Sequence, residues 1–93
     1  MDKITSEKLD KYFKITEKAI EKAKLSQEKI NLDNARDTFL DMIERYFKDA
    51  LYFYKKNDFV NAFAALNYAH GWLDAGARLG IFDVHDSSLF AQD

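Results

Sequence analysis

The chain has 93 residues, 14 basic against 16 acidic, a net charge of −2 and no cysteine. That length suits one domain with a single core, and the balanced charge supplies no field to select nucleic acid or an anionic membrane. The missing thiols exclude disulfides, thiolate metal sites and a cysteine nucleophile, and suit a reducing interior.

An average proline usage of about 5% would put roughly four or five prolines in such a chain. It has none, and its three glycines all follow position 70. Residues 5 to 69 therefore lack the strongest helix breakers, and long helices are expected. The opening MDKITSEKLDKYF mixes charges where a signal peptide would carry an apolar run. The longest charge-free stretch lies between Asp58 and Asp74 and contains Asn61, Asn67 and His70, well short of the about twenty apolar residues that span a bilayer. These features predict a soluble, cytoplasmic protein that does not enter the membrane.

A first helix is predicted over residues 6 to 28. Leu9, Tyr12, Phe13, Thr16, Ala19, Ile20 and Ala23 fall at helical spacing, lysines and glutamates fill the opposite side, and Thr5 or Ser6 can cap the start. Asn31 and Asp33 place a turn within residues 27 to 33. A second helix then runs over residues 33 to 56, with Ala35, Phe39, Met42, Ile43, Tyr46, Ala50 and Phe53 as its stripe. Leu40, Phe47 and Leu51 widen that stripe to about half the circumference, more than one antiparallel neighbour covers.

After a turn at residues 55 to 58, with Asn57 or Asp58 as cap, a third helix is predicted over residues 58 to 80, ended by Gly80 as a left-handed C′ residue. Its broad apolar side carries Ala62, Ala65, Leu66, Ala69, Leu73, Gly76 and Ala77, with Tyr68 and Trp72 at the margin. A narrower polar side carries Asn67, His70, Asp74 and Arg78 in a row, and Ala64, Gly71 and Ala75 line the remaining flank. Gly71 and Gly76 inside a helix each cost roughly 1 kcal/mol relative to alanine, so packing or contact must offset them. Residues 83 to 93 form a tail read chiefly as a frayed end, in which Ser87 or Ser88 could cap one helical turn carrying Leu89 and Phe90. The alternative is a flap covering a groove. Three helices joined by short turns give an all-α, three-helix, up-and-down antiparallel bundle.

The run Tyr68, Ala69, His70, Gly71, Trp72, Leu73, Asp74, Ala75, continued by Arg78, Leu79 and Gly80, resembles the signature of a small archaeal family. That family is known only as a domain of unknown function, and the likeness spans residues 57 to 82. The resemblance implies a left-handed twist for the bundle and an archaeal cytoplasmic origin. It brings no activity with it.

The row Asn67, His70, Asp74 and Arg78 is the candidate ligand site. A carboxylate four residues from a histidine can fix its tautomer, and an arginine one turn further can bind an anion bidentately. The same four residues also suit a purely structural network of i,i+4 pairs. No serine, threonine or lysine nucleophile accompanies the row, so no catalytic set is visible, and a metal would need a third ligand such as His85. Arg78 and His85 resemble in spacing the Arg-x4-6-His element of helical ribonucleases that work as dimers, but Gly80 breaks the helix between them. The aromatic load of Tyr46, Tyr52, Phe53, Tyr54, Tyr68 and Trp72 lacks the basic stripe of a nucleic-acid platform and suits a core or a protein interface. The leading expectation is a non-enzymatic interaction module, without cofactor, that forms a homodimer through Leu51, Tyr68 and Trp72. The alternative is a small-molecule or nucleotide-binding bundle built on Asn67, His70, Asp74 and Arg78.

Overall fold

The computed structural model describes residues 4–27 and 34–90, in which three helices follow one another: α1 (Ser6–Leu25), α2 (Ala35–Lys55) and α3 (Phe59–Leu79). Each begins or ends on local chemistry. The Thr5 hydroxyl accepts the Lys8 amide at 3.1 Å to start α1, and the Asp58 carboxylate accepts the Asn61 amide at 3.3 Å to start α3. Gly80 closes α3 at φ 79°, where its own amide reaches the Ala77 carbonyl and the Ile81 amide reaches Gly76 at 2.8 Å. α2 is joined to α3 by a tight turn in which Asn57 takes φ 61°.

α1 stops at Leu25, earlier than the periodicity suggests, for a reason outside its own sequence. The guanidinium of Arg36 donates to the carbonyls of Ala23 and Lys24 at 2.9 and 2.8 Å, and the Ser26 hydroxyl donates to Ala23 at 2.7 Å. These donors satisfy carbonyls that a helix end leaves without partners. The expected turn at residues 27 to 33 falls, from residue 28 on, outside the described residues.

The cross-helix pairs fix the directions. Phe39 meets Trp72 edge-on and Tyr46 stacks on Tyr68, so α2 runs antiparallel to α3. Lys24 pairs with Glu44 at 2.5 Å while Phe13 meets Tyr54 edge-on, so α1 runs antiparallel to α2. Both α1 and α3 are antiparallel to α2, so α1 runs parallel to α3, which Tyr12 meets at Asn67. The result is an up-and-down three-helix bundle of 42 × 23 × 20 Å.

α2 and α3 form the close pair, because Ala50, Ala62, Ala65, Ala69 and Gly76 let their backbones approach. α1 stands further off and contributes Leu9, Ala19, Ile20 and Ala23 to the core. Thr16 is the fully buried polar side chain of α1, and its hydroxyl returns to the Tyr12 carbonyl at 2.9 Å.

As far as Phe90, the tail departs from the frayed end expected of it. Val84, Leu89 and Phe90 are buried and, with Ile81 and Phe82 just before the tail, join Ala19, Ile43, Ala69 and Leu73 in one core cluster. Asp86, rather than either serine, caps the last turn: its carboxylate accepts the Ser88 amide at 3.0 Å and holds Lys22 at 2.7 Å. The Asp83 amide donates to the Gln27 carbonyl at 2.9 Å, tying the segment to the end of α1.

Candidate functional site

Tyr12 of α1 meets the polar row of α3. Tyr12 lies flat over the His70 imidazole, with centroids 5.3 Å apart and planes 12° from parallel, and its hydroxyl donates to Asn67 Oδ1 at 2.9 Å. Its ring also leans on Phe63 at 5.2 Å. One side chain therefore engages two of the four candidate residues. Asn67 and Arg78 are exposed, whereas His70 and Asp74 are half-buried beside the tyrosine.

Burial sets the electrostatics. It pushes the His70 pKa below the usual imidazole value, and the Asp74 carboxylate opposes that only in part. Burial and then Asp74 both push the Tyr12 phenol up. His70 Nε2 is out of contact with solvent and has no hydrogen-bond partner among the described residues. With α1 in place, Tyr12 covers the imidazole, and Asn67 and His70 take part in the α1–α3 contact. Among the described residues no group of three or more His, Asp or Glu is placed to hold a metal ion.

The three candidate interface residues divide between two surfaces. Leu51 borders an apolar groove between α1 and α2 with Phe13, Phe47 and Tyr54, rimmed by Asp10, Lys14 and Glu17. Tyr68 and Trp72 line a hollow on the outer flank of α3 with Phe39, Asn67, Gly71 and Ala75. Tyr68 is 62% exposed yet held in place by the Tyr46 ring at 5.2 Å, and Trp72 is half-buried edge-on to Phe39.

The two mid-helix glycines separate on this geometry. A Cβ on Gly76 would lie 2.5 Å from Phe82 Cδ2 and closer still to Cε2, so this glycine makes room for the aromatic ring that the tail folds beneath α3. A Cβ on Gly71 would meet nothing within 4 Å. No contact among the described residues requires the second glycine.

Sequence reasoning missed Tyr12 as the cover of the polar row and Arg36 as the clamp on α1. Tyr12 carried only the signal of a core-stripe position, because periodicity gives the face of a helix and not its register against a neighbour. Arg36 carried none.

A family model described as "Protein of unknown function (DUF357)" matches residues 11–82. No curated protein and no solved structure matches the chain. No helix among the described residues is long and apolar enough to cross a membrane.

Proposed function

Membership brings no activity with it, since the chain belongs to this family of unknown function, and we propose from the geometry that it is an interaction module that pairs with a second copy through the outer flank of α3. Gly71 carries the reading. A glycine inside a helix costs about 1 kcal/mol against alanine, and no contact among the described residues offsets that cost at position 71. Close approach of another backbone supplies one.

The surroundings support a self-complementary contact. Val60, Tyr68 and Leu79 are 68%, 62% and 55% exposed on this flank, with Ala64 and Ala75 exposed between them. From Phe59 to Leu73 no charge interrupts α3, whereas lysines and acids stud the outer faces of α1 and α2. The patch holds both a knob, Tyr68, and a hollow of about 340 Å³ over Gly71 and Ala75. An antiparallel two-fold crossing between Gly71 and Trp72 sets Tyr68 against Ala75 of the second copy and Ala64 against Leu79, the arrangement an isologous dimer requires. Tyr46 already holds Tyr68, so little rotamer freedom is lost on pairing.

The rival reading, an anion or nucleotide site at Asn67, His70, Asp74 and Arg78, is weaker. Tyr12 takes the position over His70 that a ligand ring would need. A cytoplasmic setting and an archaeal source belong to the same proposal and rest on the cysteine-free composition and the sequence likeness alone.

Sedimentation equilibrium from low to high micromolar protein tests the module. The expected result is a monomer–dimer equilibrium weakened at least about tenfold, or 1.4 kcal/mol, by Tyr68→Lys, a substitution at an exposed side chain that removes the ring contact to Tyr46 and no buried side chain. Trp72→Ala weakens it too but also removes the contact to Phe39. A wild type that stays monomeric throughout refutes the proposal.

A further inference from the structure

Tyr12 and His70 form an aromatic pair that the proposed dimer does not use. We infer that this pair is a pH-operated latch: it holds α1 on α3 while the imidazole is neutral and lets α1 swing away when the ring takes up a proton. The inference is independent of self-association.

Three observations carry it. His70 Nε2 is buried with no hydrogen-bond partner among the described residues, so a proton there finds neither water nor an acceptor. The Tyr12 ring seals it at 12° from parallel, and the same tyrosine makes the hydroxyl bond to Asn67 that joins the two helices. α1 is the helix held less closely, so it is the element that can yield.

The charges around the ring can be named from each side. From α1 the titratable group facing it is Tyr12, and Lys8 and Lys11, one turn before it and next to it in the helix, are exposed. From α3 it is Asp74, followed one turn on by Arg78. α2 packs on the opposite side of α3, through Tyr46 on Tyr68 and Phe39 on Trp72, and turns no charge toward His70 in those contacts. Asp74 and the face of Tyr12 favour the cation, and the loss of hydration outweighs Asp74, which is why the pKa lies below its ordinary value. A proton is therefore bound more readily with α1 open than closed. The contribution of the neutral His70 ring to attachment is whole above about pH 6.5, the ordinary imidazole pKa, is lost as pH falls from there through the closed-state pKa, and levels off below it. Release uncovers Leu66, Ala69 and Leu73, which share core clusters with Leu9, Ala19 and Ala23 of α1.

The test combines an NMR titration of both histidines with amide hydrogen exchange at about pH 7.5 and about pH 5, corrected for the intrinsic rate, on the whole chain. His85, exposed beside Asp83, is the internal reference. The expected result is a His70 ring titrating below 6.5 and a loss of protection in α1 relative to α3 on acidification. That loss disappears in His70→Phe and in His70→Gln, the second covering the case in which the larger ring does not fit. A His70 ring titrating at or above its ordinary value, an α1-to-α3 protection ratio that ignores pH, or a pH dependence that survives both substitutions would each overturn the latch.

Discussion

Alanine should stabilise the chain at the first of the two mid-helix glycines and not at the second. At Gly71 the new methyl group meets nothing within 4 Å, so the variant keeps the full helix-propensity gain of about 0.8–1.0 kcal/mol. In a domain of this size that raises the melting temperature by about 4–8 °C. At Gly76 the same gain is set against the Phe82 ring, 2.5 Å from the added carbon at Cδ2, and Phe39 at 3.3 Å. Overpacking of this kind costs about 1–3 kcal/mol, and expelling Phe82, which is 1% exposed, forfeits about 1.5–3 kcal/mol of burial. Gly76→Ala therefore ends between neutral and about 2 kcal/mol less stable than wild type. Urea and thermal denaturation at a protein concentration low enough to keep the chain monomeric measures both. Equal stabilisation by the two substitutions would refute the reasoning, because it would mean that Phe82 does not pack under α3. A Phe82→Ala background should abolish most of the Gly76→Ala penalty, since the two residues touch and their effects couple.

The buried tail makes a sharper claim than its composition does: Phe90→Ala should cost about 3 kcal/mol in chemical denaturation, whereas a frayed end would leave the midpoint unmoved. Asp86 offers a pH test. Its hydrogen bond from Lys22, followed by those from Ser88, lowers its pKa from 3.8 to about 2, so its contribution is whole above 3.8 and lost as pH falls through about 2. A carboxyl carbon-13 titration should place the midpoint near that value and move it up toward 3.8 in Lys22→Met; a midpoint indifferent to Lys22 would show that the pair does not form.

What was legible in the sequence is what local chemistry decides. Thr5, Asp58 and Gly80 act where their side chains or lack of one predict, and the buried residues of α1 and α3 fall on the stripes that periodicity draws. The α2 arc is only partly covered: of its residues Ile43 and Ala50 are buried, and Leu51 remains 38% exposed. The rest depends on register and distance along the chain. Tyr12 reaches His70 across 58 positions and Lys22 reaches Asp86 across 64. No pattern within either helix specifies those meetings. The same holds for the two glycines, which look alike in sequence and differ only in whether Phe82 lies beneath them.

The placement of the tail also bears on the order in which the chain can be completed during synthesis. α2 and α3 close on each other across a turn of a few residues, so little loop entropy opposes their pairing. α1 emerges before α2 and α3, yet its last turn lies in the core cluster that Phe82, Leu89 and Phe90 complete, and these emerge after all three helices. Of the three helices the earliest is therefore the last to be fully seated, and until residue 90 has cleared the ribosome its apolar stripe is a surface the cell must keep from other partners.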